Sequence, residues 1–95
     1  MFNNQRYVTG GITNTVPLIT QIILWDCIDS MKVERKDYLQ VFKLVANGTN
    51  QQVTHSQEEP SYERTFTFPT DEPITAKIFV IDDETHTTML LAEEY

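Results

Sequence analysis

PLITQIILWDCIDSM, residues Pro17 to Met31, is too long and too apolar to be anything but a helix laid over a sheet. Pro17 belongs in the first turn, where its missing N–H costs nothing, and Asn14 or Thr15 is placed to cap the start. Leu18, Ile22, Trp25 and Ile28 follow the spacing of one helical face, with Ile19 and Ile23 widening the stripe and Met31 extending it. Thr20, Asp26 and Asp29 then fall toward solvent, and Trp25 is the expected anchor. Leu24 and Cys27 lie on the flank of this arc and make a candidate contact for a partner.

Outward from this helix the chain reads as strand. Arg6 to Thr9 has strand composition and is stopped by Gly10-Gly11, and Ile12 to Thr15 is a polar connection. After a charged connector, Asp37 to Val45 alternates with two largely apolar faces, as a central strand does. Asn47-Gly48 supplies a tight turn to a return strand through Gln51 to Ser56. Tyr62 to Phe68, Ile74 to Ile81 and His86 to Ala92 complete the set, separated by Glu58-Glu59-Pro60-Ser61, Pro69 to Pro73 and Asp82 to Thr85. One helix and five or six strands with short connections predict an α+β domain, a mostly antiparallel meander with the helix packed on one face.

Ninety-five residues suffice for one such domain and not for two, so residues 1–95 are read as a single unit. Apolar residues make up 40% and charged residues 22%, which separates the chain from the disordered class. A formal net charge of −7 has the wrong sign for gripping phosphates, which argues against direct nucleic-acid binding. The charge is uneven: residues 1–57 hold five basic and four acidic side chains, residues 58–95 two and ten. Cys27 is the lone cysteine, and no charged-then-apolar leader precedes the first strand, so a reducing cytoplasm is the expected compartment. The apolar stretch is broken by Thr20, Gln21, Asp26 and Asp29 and is unfit to cross a membrane.

If neighbouring strands pair as hairpins, Glu58 and Glu59 share one sheet end with Asp82, Asp83 and Glu84. Asp71, Glu72, Glu93 and Glu94 gather at the other. As a metal centre the first group is weak, because it lacks the alternating ligands and glycine of a calcium loop, and neither His55 nor His86 stands in a zinc-binding repeat. Catalysis has no better basis: a cysteine on an apolar helix is more often a buried hydrophobe than a nucleophile, and carboxylates in wet turns have no reason to divide acid and base roles. No cofactor is expected. What remains is a field that either serves solubility alone or steers the domain toward a basic partner protein, including one whose basic cleft holds nucleic acid, by mimicry of nucleic-acid charge. Two alternatives stand beside it: a small metal-dependent enzyme built on the acidic turns with His55 or His86, and a structural homodimer joined through an edge strand or the helix flank.

Several blocks of this chain, in the same order, are similar to a bacterial family known as domain of unknown function 960. They are Arg6 to Gly11, Leu24 to Asp29, Asp37 to Phe42, His55 to Glu58, Phe79 to Asp83 and Thr88 to Tyr95. The resemblance spans nearly the whole chain and implies a small cytoplasmic protein of Gram-positive bacteria. Some such proteins are carried by phages and staphylococcal resistance cassettes, near recombinases. It implies no catalytic or ligand residues, but it favours an accessory or inhibitory factor acting on nucleic-acid-handling machinery.

Overall fold

The computed structural model describes residues 2–95. Six strands form one sheet: β1 (Gln5–Val8), β2 (Leu39–Asn47), β3 (Asn50–Gln57), β4 (Tyr62–Pro69), β5 (Ala76–Asp82) and β6 (His86–Leu91). Helices α1 (Gly10–Thr15) and α2 (Leu18–Asp29) lie between β1 and β2 in the chain. The strand order is β1-β6-β5-β2-β3-β4. Every neighbouring pair is antiparallel except β1 with β6, which is parallel. This is the α+β architecture expected, with β2 central as its two apolar faces require.

The meander holds within β2-β3-β4 and within β5-β6, but it breaks between β4 and β5. β5 pairs with the free edge of β2, so the chain crosses from the sheet edge back to its middle. Burial favours this: Ile78 and Val80 are fully buried beside β2, a position the open edge of β4 could not offer. Gln51 fastens the crossing, its Oε1 accepting from Ile74 N–H at 2.8 Å and its Nε2 donating to Ile74 O at 2.9 Å and Val45 O at 3.2 Å. The β2–β3 turn is as tight as Asn47-Gly48 implied: Asn47 faces Asn50, and Gly48 holds the φ of +63° that a side chain would resist.

Period-two alternation assigns the faces. Gln40, Phe42 and Leu44 of β2, Val53 and His55 of β3, Ile78 and Val80 of β5, and Thr87 and Met89 of β6 are buried beneath the helices. They join Phe2, Ile12, Val16, Leu24 and Ile28 in the core. The other sheet face carries Leu39, Val41, Phe79 and Ile81, all partly exposed.

Two expectations about the helices are corrected. Residues 10–15 are a helix and not a stop followed by connection: Thr9 Oγ1 accepts from Ile12 N–H at 3.3 Å, and the fully buried Ile12 side chain holds the turn in place. The second correction concerns the rotation of α2. Its buried residues are Thr20, Gln21, Leu24, Cys27 and Ile28, whereas Leu18, Ile19 and Ile22 are exposed at 70%, 57% and 52%. Apolar residues surround this helix on all sides, so specific bonds set its rotation. Gln21 Nε2 donates to Val16 O at 2.9 Å on the buried side. On the flank, Arg6 pairs with Asp29 and lays its guanidinium 4.7 Å over the ring of Trp25. Trp25 is therefore a half-buried lid on Arg6 and not the deepest anchor.

Candidate interaction surface

The sheet ends collect the acidic turns as expected. β3 and β5 both run toward the end where the Glu58–Glu59 and Asp82–Glu84 turns sit, and the β4–β5 crossing brings Asp71 and Glu72 to the opposite end, beyond which β6 runs into Glu93 and Glu94. Strand order separates the two turns of the first end, because β2 stands between their hairpins; at about 4.8 Å per strand they are roughly 14 Å apart. Among the described residues, no three His, Cys, Asp or Glu side chains are gathered as a metal-binding group.

Three of the nine predicted carboxylates are committed to the fold. Asp82 is only 5% exposed. Its Oδ2 accepts from Phe2 N–H at 2.8 Å, and its Oδ1 accepts from Asn4 Nδ2 at 2.9 Å and from Glu84 N–H at 2.8 Å. Burial alone raises its pKa, but these donors outweigh burial and hold it below the usual carboxylate range. Asp82 is thus a clasp for the N-terminal segment and not an interaction residue. Replacing it with Ala is expected to cost about 2 kcal/mol and to release residues 2–4, seen as faster amide exchange at Phe2 and Asn4.

Asp83 shapes its own turn: Oδ1 accepts from His86 N–H at 2.9 Å, Thr85 N–H at 3.0 Å and Thr85 Oγ1 at 2.8 Å. The His86 amide, with the Thr85 hydroxyl, lowers its pKa. His86 Nε2 lies 3.2 Å from Asp83 Oδ2, on the outer side of the same turn. Glu94 folds back on the chain and accepts from Thr9 Oγ1 at 2.7 Å, Leu91 N–H at 2.8 Å and Gly11 N–H at 3.3 Å. The Thr9 hydroxyl is the chief cause of its lowered pKa. A Cβ on Gly11 would stand 2.6 Å from this carboxylate, so the close approach depends on glycine there.

The other six, Glu58, Glu59, Glu84, Asp71, Glu72 and Glu93, are exposed, and none pairs with a basic side chain. Among the described residues, Arg6 with Asp29 is the one pairing of a Lys or Arg with a carboxylate.

The helix flank is corrected outright. Leu24 is fully buried and Cys27 is 6% exposed, so neither faces a partner. Burial pushes the Cys27 thiol up to about 11. It is expected to resist iodoacetamide at pH 8 in the folded protein and to react once denaturant is added; labelling of the native protein at the denatured rate would contradict this placement.

His55 is likewise interior, stacked 4.3 Å from Phe42 and set edge-on to Tyr62 at 5.3 Å. Its Nε2–H donates to Gln40 Oε1 at 2.7 Å, while Gln40 Nε2 donates to Gln57 Oε1 at 2.7 Å and to Asp37 O at 2.8 Å. Gln57 Nε2 continues the chain to Pro60 O and Arg35 O at 2.8 and 3.1 Å. The network braces the connector and the β3–β4 turn that present Glu58 and Glu59. Sequence reading missed it, although Gln51, Val53, His55 and Gln57 share one strand face and that face is turned inward.

The family described as "Staphylococcal protein of unknown function (DUF960)" matches residues 5–94. The chain belongs to this family. Among solved structures, this DUF960 protein is similar to the crystal structure of a protein of unknown function from Enterococcus faecalis. The TM-score is 0.83 at 28% identity, covering 98% of this chain and 92% of the other. No curated protein matches. The DUF960 match covers every strand and both helices.

Proposed function

We propose that this DUF960 protein is a non-enzymatic interaction factor that docks on a basic protein surface through the carboxylates at its sheet ends. The observation that supports this reading is the lack of internal neutralisation: ten acidic side chains lie in residues 58–95, and none of them pairs with a Lys or Arg. Five of them, Glu58, Glu59, Asp71, Glu72 and Glu84, project into solvent from turns braced by the Gln40–His55–Gln57 network, the Asp83 turn and the Gln51 clasp, and Glu93 projects from the 3-10 turn that follows β6. A field fixed in this way raises the association rate with a basic partner and weakens as salt screens it, with a Debye length of about 8 Å at physiological ionic strength. The partner class with the best charge match is a protein whose basic cleft holds nucleic acid, which makes the domain an accessory or inhibitory factor of such machinery. A pull-down from a Gram-positive lysate at low and at high salt tests the reading. The recovered protein should be basic on its contact face and lost as salt rises; equal retention at high salt would remove the electrostatic basis.

The enzyme alternative is left with one exposed pair, His86 and Asp83 at 3.2 Å. His55 is enclosed in the core, Asp82 is taken up by the N-terminal segment, and the two acidic turns of that sheet end are held apart by a strand.

A further inference from the structure

The sheet has two edges, and they differ. β1 is four residues long, whereas β4 is eight and pairs with β3 alone. Edge strands are ordinarily blunted by shortness, bulges or proline, since their free N–H and C=O groups template another strand. β4 is neither short nor bulged, and its two charged residues, Glu63 and Arg64, fall in its first half. Its register with β3 runs unbroken from Tyr62 opposite Gln57 to Pro69 opposite Asn50, with no bulge, and its one proline is the last residue. On the helix side it presents half-buried Phe66 and Phe68, rings 6.3 Å apart, with the Arg64 guanidinium 5.1 Å over Phe66. Both ends of this strand run into exposed acidic pairs, Glu58-Glu59 before it and Asp71-Glu72 after it. At about 3.3 Å per residue the pairs are set off by a strand roughly 23 Å long.

We infer that β4 is a strand-addition site, and that its ligand is an extended segment of a partner protein with basic side chains at both ends and apolar ones at alternate positions between. Backbone pairing along β4 supplies the affinity, Phe66 and Phe68 take the alternate apolar side chains, and the two acidic pairs fix the ends. Charge complementarity selects this occupant over a second copy, because two copies would bring four acidic pairs and a net charge of −7 each to one seam. The inference rests on the basic-partner reading above and specifies how that partner is held.

The test uses the full chain and three probes: the peptide KKTVTVTVTVKK, the same peptide with alternate backbone amides N-methylated, and EETVTVTVTVEE. Amide chemical shifts locate binding and titration gives affinity. The basic peptide should move the amides of Tyr62 to Phe68 and bind about tenfold more tightly than either control, one control lacking the ladder donors and the other the charge match. Equal binding by the N-methylated peptide, or shifts centred on β1, overturns strand addition at β4 and leaves the charge reading standing. Equal binding by the acidic-ended peptide overturns the basic-ended ligand and counts against the charge reading as well. If no peptide binds, strand addition is overturned, and salt-sensitive binding of poly-lysine to the same sample decides the charge reading separately. Shifts in β4 that grow with protein concentration, with no peptide present, identify a second copy as the occupant and also overturn the inference.

Discussion

Acidification from pH 7 to pH 4 is expected to remove about 3 kcal/mol of folding stability through His55 alone. Burial, with the charge of Arg64 as the smaller cause, pushes this side chain from 6.5 down to about 4. The geometry explains why. Gln40 Nε2 is committed as a donor, so Gln40 Oε1 receives the Nε2–H of His55, and Nδ1 is left buried without a partner. A second proton on Nδ1 would meet no acceptor and would lie in the field of a guanidinium. The folded state therefore stays neutral where the unfolded chain already binds a proton. Stability from this group is complete above about pH 6.5, falls as pH drops toward 4, and changes no further below that. Comparison with His55→Gln isolates the effect, since glutamine can still donate to Gln40 but does not titrate, and acid protonation of the carboxylates is common to both proteins. The gap between their unfolding free energies should change by about 3 kcal/mol between pH 7 and pH 4. Denaturation curves whose gap is constant with pH would show that His55 is not enclosed as described.

The second large effect separates the two sides of α2. Leu24→Ala is expected to cost about 3 kcal/mol, because Leu24 is fully buried under the helix and its loss leaves a cavity. Ile22→Ala, at a position 52% exposed, should change stability by less than about 0.5 kcal/mol. Urea titrations of the two variants check this directly. The reverse order, with Ile22 costly and Leu24 cheap, would restore the rotation that the apolar spacing favours.

That contrast shows where the sequence was readable and where it was not. The existence of α2, the strands from Asp37 onward and the central place of β2 were all legible, the helix from its length and apolar content and the strands from their period of two. Rotation of α2 was not. Leu18, Ile19, Ile22, Ile23, Leu24 and Ile28 leave no polar side wide enough to define an outward face, and the deciding contacts, Gln21 to Val16 and Arg6 to Asp29, are polar ones that periodicity does not weigh. The crossover between β4 and β5 was hidden for a different reason. Strand partners follow from competition for burial beside β2, which is a property of the assembled sheet.

The acidic surface was legible in its ends but not in its membership. The alternating hairpins placed Glu58, Glu59 and Glu84 apart from Asp71, Glu72 and Glu93 correctly. Asp82, Asp83 and Glu94 carry the same charge in the sequence, but each faces free backbone N–H groups of a turn or terminus and is used to satisfy them. Only a three-dimensional count of donors distinguishes these carboxylates from their solvent-facing neighbours.

The proposed docking rests on the solvent-facing carboxylates of the sheet ends and not on net charge in general. The most direct measurement is the affinity of the partner recovered by low-salt capture for two variants of equal charge, Glu58→Gln/Glu59→Gln and Asp26→Asn/Glu34→Gln. The sheet-end variant should bind about tenfold more weakly at low salt and the other near-natively, and both should converge with the native protein as salt rises. Equal weakening in the two variants, or binding by the sheet-end variant indistinguishable from native, would contradict it.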